Sequence, residues 1–293
     1  MTESVKAYAK INLHLDVTEK RPDGYHNVQT VMQSVSLCDT VTVSPKKDGS
    51  FSCECDVLGV PTDERNIALK AAMLFMSRID SKSGAHVKIE KKIPMAAGLA
   101  GGSTDAAATL VALSRLYGKP LDENELSTLG AKLGADVPFC ISGGCVYSDG
   151  KGDILHPFAS IPQNTAFVVA CGGEGVSTPW AYGLLDRTFN DFFNYSAKGT
   201  YNLKNALSSS APELFYKELF NIFEETVLRE RPVAGEIKQK MLNSGAKNAM
   251  MSGSGPSVFG IFENTDSAER AAEAIRKMGY FAQVCTPMKK REI

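Results

Sequence analysis

The stretch Pro94-Met95-Ala96-Ala97-Gly98-Leu99-Ala100-Gly101-Gly102-Ser103-Thr104-Asp105-Ala106-Ala107-Ala108 decides how the rest of the chain is read. Gly98, Gly101 and Gly102 remove side chains, so that backbone N–H groups can close on an anion, and Ser103 and Thr104 add hydroxyl donors. The helix expected from Asp105 onward points its positive end at the same place. Two uses fit these residues: a cradle for phosphate, or a Gly-rich turn in which Ser103 or Thr104 caps the helix and Ala106 to Ala108 allow close packing. A Walker loop is excluded, because neither Gly118-Lys119 nor Gly150-Lys151 stands in G-x-x-x-x-G-K-[ST]. Protein-kinase signatures are missing as well.

Upstream, every odd position from Val5 to Val17 is apolar, whereas the even positions carry Lys6, Tyr8, Lys10, Asn12, His14 and Asp16. That period of two predicts a half-buried strand with Lys10 and Asn12 on its polar face. Pro22-Asp23-Gly24 supplies a turn, and Val28 to Leu37 and Thr40 to Val43 read as two further strands. Asn66 to Ile79 has helical spacing, and Val87, Ile89 and Ile93 alternate in a strand that enters the Gly-rich run. Asp122 with Glu125 forms a capping-box pattern for a helix ending near Gly134. Asp136 follows in Gly134-Ala135-Asp136-Val137-Pro138, where a cap at the start of a short helix is the default reading.

The stretch Gly143 to Pro162 is rich in Gly, Pro and polar residues and reads as connection, with a domain boundary near residue 157. A chain of 293 residues suits two domains, given roughly 150 residues per domain, here residues 1–157 and 158–293. In the second half Thr165 to Cys171, Ala249 to Met251, Ser257 to Phe262 and Phe281 to Cys285 read as strands. Ala211 to Arg229, Val233 to Asn243 and Thr265 to Met278 read as helices. The order resembles a split β-α-β unit, ferredoxin-like with an extra helix, so the whole is α+β. Ser252-Gly253-Ser254-Gly255-Pro256-Ser257 forms a tight loop between two of those strands, either a hairpin connection or a second set of backbone donors at the domain interface.

With 32 Lys+Arg against 33 Asp+Glu the net charge is -1, which leaves no electrostatic footprint for nucleic acid or an anionic membrane. The seven cysteines are scattered without a C-x-x-C pair, so neither a disulfide framework nor a structural zinc site is indicated and a reducing, cytoplasmic setting is expected. The N-terminus lacks the apolar core of a signal peptide, and no run approaches the ~20 apolar residues that span a bilayer. Nothing in the sequence sets an oligomeric state.

Five segments taken together, A-Y-A-K-I-N-L-H-L-D-V, P-D-G-Y-H, the Gly-rich run, L-G-A-D-V-P-F-C and M-S-G-S-G-P-S-V-F, resemble the GHMP small-molecule kinases over nearly the whole chain. K-I-N, D-G-Y-H and G-A-D-V-P are closest to the branch that phosphorylates a cytidine diphosphate-linked methylerythritol. Members often have Gly and Ser where this chain has Ala96 and Thr104. The resemblance implies a two-domain GHMP kinase fold, ATP as co-substrate and Mg²⁺ beside it, with the metal's protein ligands left open. It implies that Pro94, Ala96, Gly98, Leu99, Ala100, Gly101, Gly102, Ser103 and Thr104 hold the nucleotide, with Asn66 near the adenosine. It makes Asp136 the catalytic base and Lys10 its neighbour, both facing the substrate hydroxyl. Asn12, Tyr25, His26 and Tyr182 become substrate-binding residues, Tyr182 being preferred to Trp180 as the second aromatic on the cytosine. Other GHMP kinases, acting on mevalonate, homoserine or a sugar, and a nucleotide-binding regulator without catalysis are the rival readings.

Overall fold

The computed structural model describes residues 1–189 and 198–291. The alternating N-terminal segment forms β1 (Glu3–Lys20), which pairs antiparallel with β2 (His26–Lys46) around the Pro22-Asp23-Gly24 turn. Gly24 adopts φ 84 there, a left-handed conformation that costs glycine nothing. The two strands expected within 28–43 are one. Asp39 does not break β2, because its buried carboxylate accepts hydrogen bonds from the backbone of Ile93 and from Lys91.

β4 (Gly84–Glu90) adds to β2 antiparallel, and β3 (Phe51–Cys55) adds to β4 in parallel. β5 (Cys145–Asp149) pairs with β2 and β6 (Ile154–Pro157) with β5, so the stretch read as connection contains a hairpin. Gly150 and Gly152, with φ 64 and 91, make its turn. Helices α1 (Ile67–Arg78) and α2 (Gly101–Leu116) cover one face of this sheet, burying Phe75, Leu110 and Leu113 against Val41, Val87 and Ile89. The alanine run of α2 is fully buried, which is what lets a helix sit that close to a sheet.

Two short helices follow α2. α3 (Glu123–Ala131) carries the expected capping box between Asp122 and Glu125, and α4 (Val137–Ser142) begins directly after Asp136. In the second half β7 (Ala166–Cys171), β9 (Asn248–Met251), β10 (Val258–Phe262) and β11 (Phe281–Cys285) form an antiparallel sheet in the order β11-β7-β10-β9, the ferredoxin-like order. Helices α8 (Pro232–Asn243) and α9 (Thr265–Arg276) pack on one face over Val168 and Ala170. From the other face Phe167, Val169 and Phe259 join Ile11, Leu13, Val35 and Leu99 of the first half in a single apolar cluster.

The helix expected over Ala211 to Arg229 is not continuous. A 3-10 turn spans Pro212–Glu218, a two-residue strand β8 (Phe220–Asn221) pairs in parallel with His14 and Leu15 of β1, and α7 (Glu224–Glu230) follows. Strand pairing and the side-chain bonds of Asn221 override a helical apolar spacing here. α5 (Thr178–Thr188) and α6 (Lys198–Ser208) complete the described elements, and none of the described helices is long and apolar enough to cross a membrane.

Candidate active site

β1 is buried on both faces from Ala9 to Val17, so the even positions expected toward solvent form a covered polar row, Lys10, Asn12, His14 and Asp16. The cover comes from the second half of the chain, through β8 and the 252–257 loop. Ser252 Oγ accepts from Asn12 N at 3.3 Å and donates to Gly98 O at 3.1 Å. Lys10 Nζ donates to Asn12 Oδ1 at 2.7 Å and lies 3.8 Å from Asp136 Oδ2. Asn12 Nδ2 donates in turn to Thr30 Oγ1 at 2.7 Å, and Thr30 Oγ1 donates to His14 O. An ammonium that stays charged while buried needs such partners. Here they also fix its direction.

Asp136 occupies the N-cap position of α4 but its side chain makes no capping hydrogen bond. Its carboxylate is 36% exposed, partnered with Lys10 and open to solvent on its remaining edge. The structural cap that is the default for this position is therefore not what the side chain does.

The Gly-rich run lies between these residues and the second half. Ala96, Gly98 and Ala100 alternate in left-handed conformations, φ 49, 75 and 58, the kind of alternation from which backbone anion nests are built. For the two alanines that conformation costs about 1–2 kcal/mol each, and it is why glycine suits position 96. α2 starts at Gly101 rather than Asp105, because Ala100 makes the left-handed turn that launches it, and no side chain caps it. Neither Ser103 nor Thr104 is an N-cap. Thr104 is buried and its hydroxyl donates to Gly101 O at 3.0 Å, the usual back-bond of a threonine inside a helical turn. Gly102 is exposed, and a Cβ there would meet only Ile67, at 3.6 Å. The first turn of α2 thus presents bare backbone amides.

Other predicted residues make contacts within the fold. Leu99 is buried in the shared core and its carbonyl accepts from Lys10 N at 3.2 Å. Ala97 O accepts from Ser257 N at 3.2 Å. A Cβ on Gly98 would stand 2.2 Å from Ser252 O, so this glycine is required by the close approach of the 252–257 loop. Asn66 caps α1 through Ala68 N at 2.9 Å and donates to Pro61 O at 2.7 Å, so its amide is engaged within the fold.

A second cluster lies at the β1–β2 hairpin. His26 stacks on Tyr182 with ring centroids 4.7 Å apart, and Tyr182 meets the edge of Phe223. Burial pushes the Tyr182 phenol above its ordinary range. His26 Nε2 lies 2.8 Å from Asp186 Oδ1, and Asp186 also pairs with Lys20. Tyr25 is 62% exposed with Lys151 Nζ 4.8 Å from its ring centroid. Trp180 carries Arg231 on its face instead. His14 is buried with neither ring nitrogen partnered, and burial lowers its pKa to about 4. Burial raises Asp16 to about 6. The Ser252 hydroxyl joins the 252–257 loop to the site, whereas Thr30, Asp186 and Asn221, which donates to Met251 O and Gly253 O, are site residues that the sequence does not single out. Their partners are remote in sequence, and no local pattern marks them.

The class that this fold and cleft define is the GHMP kinases. Residues 66–144 match the model of the GHMP kinases N terminal domain and residues 203–280 that of the GHMP kinases C terminal. A protein of Acetivibrio thermocellus named 4-diphosphocytidyl-2-C-methyl-D-erythritol kinase is 43% identical over 273 residues, 93% of this chain and 94% of its own. The protein of that name from Brevibacillus brevis is 42% identical over 277 residues, 94% and 93% of the two chains. A crystal structure of 4-(cytidine 5'-diphospho)-2C-methyl-D-erythritol kinase superposes with a TM-score of 0.77 at 32% identity, covering 97% of this chain and 98% of that one. The Methanococcus jannaschii mevalonate kinase, at 14% identity and a TM-score of 0.74 over 99% and 98% of the chains, shares the fold. The chain belongs to the GHMP kinases and, among them, to the family of the 4-diphosphocytidyl-2-C-methyl-D-erythritol kinases.

Proposed function

We propose that this chain transfers the γ-phosphoryl group of ATP to the 2-hydroxyl of 4-diphosphocytidyl-2-C-methyl-D-erythritol, a step of the non-mevalonate route to isoprenoids. The observation that carries the reading is the convergence of Lys10 and Asp136, 3.8 Å apart, beside an uncapped helix start made of glycines. A tertiary alcohol is a weak nucleophile. Asp136 would take its proton as the bond to phosphorus forms, and the Lys10 ammonium, held by Asn12, would stabilise the developing negative charge. Amides of residues 96–103 would grip the phosphates. Asn12, Tyr25, His26 and Tyr182 would hold the cytidyl substrate, with Asp186 orienting the imidazole.

Mg²⁺ bound with ATP would neutralise phosphate charge. Among the described residues no group of three His, Cys, Asp or Glu forms a metal cage. Phosphate oxygens would be the ion's main ligands, with the Ser103 or Thr104 hydroxyl near them. ATP would lie between units 1–157 and 158–293. The seven cysteines are all free, in keeping with a cytoplasmic setting.

The test is ADP release by the purified chain with the cytidyl substrate, mevalonate, homoserine and galactose, each product being located by phosphorus NMR. Turnover confined to the cytidyl substrate with phosphate on carbon 2 is expected. Preference for any other alcohol, or no turnover with any of them, overturns the reading.

A further inference from the structure

Directly behind the Gly-rich loop lies a buried charge cluster that phosphoryl transfer as described does not use. Lys91 follows β4, and its Nζ is 2.5 Å from Asp39 Oδ2 on β2 and 2.7 Å from Asp105 Oδ2 on α2. All three side chains are at most 6% exposed. Asp39 Oδ1 accepts from the backbone N–H of Lys92 and of Ile93, the latter at 2.8 Å, and so grips the two residues that lead into Pro94. Asp105 belongs to the early part of α2, the helix that leaves the loop. The cluster therefore ties the entry and the exit of residues 94–100 to one point on β2.

Two further details set the cluster apart from an ordinary ion pair. Asp105 Oδ1 is buried without a hydrogen-bond partner, and two carboxylates share one ammonium. Burying charge in that way is costly, and apolar residues of similar volume would often be as stable. A Cβ on Gly101 would stand 3.4 Å from Lys91 Nζ and 3.3 Å from Ile93 Cγ2. The ammonium thus lies immediately beneath the first residue of α2. With two carboxylates beside one ammonium the cluster carries no net positive charge, so what it gives the loop is position rather than field. The two carboxylates keep the ammonium charged although burial opposes it.

We propose that Lys91, with Asp39 and Asp105, is a positioning residue of the nucleotide site, clamping both ends of the phosphate loop. The proposal rests on the reading of residues 94–104 as the phosphate cradle.

The test uses the full chain with ATP and, for binding, its imido analogue with Mg²⁺. Lys91→Met is expected to raise the Kd for the analogue and the KM for ATP about tenfold or more, while the KM for the alcohol stays within twofold. Nucleotide protection of the amides at 98–104 from hydrogen exchange should weaken in parallel. A role in stability alone would lower the melting temperature and the active fraction but leave KM, Kd and protection unchanged, and that result overturns the proposal. Because Lys91→Met leaves two carboxylates facing each other, the double variant Lys91→Met/Asp105→Asn provides a second route. It should show the same nucleotide defect, and normal nucleotide affinity in it equally overturns the proposal. If nucleotide fails to protect 98–104 even in the unmodified chain, the cradle reading itself falls, a result distinct from a failure of Lys91 alone.

Discussion

Gly102→Ala separates a glycine kept for a ligand from one kept for the fold. The residue is exposed, sits in the first turn of α2, and offers an added methyl only Ile67 at 3.6 Å, an ordinary contact. Alanine is preferred over glycine in a helix by up to about 1 kcal/mol, so the variant should be as stable as the parent or gain ~2–4 °C in melting temperature. The same methyl would project over the bare amides that are proposed to hold phosphate. Loss of that approach should weaken ATP about tenfold, equivalent to ~1.4 kcal/mol. Calorimetric titration with the imido analogue and a thermal melt of the same sample give both quantities. Unchanged nucleotide affinity in a folded Gly102→Ala protein would refute a phosphate site at this helix start. Gly98→Ala is the uninformative neighbour, because with φ 75 and a Cβ 2.2 Å from Ser252 O it must damage fold and site together.

Asp136→Asn should lower kcat by about 10²–10⁴-fold, the usual contribution of a general base. ATP affinity should stay within a factor of two, and near-normal turnover in a stopped assay would remove the carboxylate from the chemistry. Asp186→Asn replaces the acceptor of the His26 bond and the partner of Lys20. It should raise KM for the cytidyl substrate several-fold without changing KM for ATP, and an equal rise for both would count against base recognition. His14 is held neutral in the fold, with its pKa lowered from 6.5 to about 4. Its contribution is present above pH 6.5 and is lost as pH falls toward 4, by up to about 3 kcal/mol. Asp16, raised from 3.8 to about 6, acts in the opposite sense, its contribution being present below 3.8 and lost as pH rises through 6. Denaturant melts of the wild type and His14→Phe between pH 4 and 7 should therefore diverge, the variant gaining relative stability on acidification. Parallel curves would show that His14 does not titrate with folding.

The strand period of β1 and the capping box at Asp122 are legible in the chain because each is set by neighbours in sequence, and the ferredoxin-like order of the second half follows from its succession of strands and helices. Lys10 shows where that stops. On local grounds it is an exposed lysine, whereas Asn12, Asp136 and the 252–257 loop bury it and give it direction. Thr104 reads as a cap only if α2 begins at Asp105; the left-handed Ala100 moves the helix start to Gly101 and turns the hydroxyl inward. Asn66 and Leu99 stand close to the site, but their side chains serve a helix cap and the core. The Asp39–Lys91–Asp105 cluster draws on β2, the end of β4 and α2, and no spacing rule joins such distant residues.

The apolar cluster shared by the two sheets limits how this molecule can admit its ligands. Swinging the halves apart would wet Ile11, Leu13, Phe167, Val169 and Phe259, all essentially inaccessible. At about 1.5–3 kcal/mol for each side chain, that is as large as the whole stability of an ordinary domain. The seam between the halves is therefore a vise with fixed jaws. Variants that loosen this seam should unfold the protein before they part its halves.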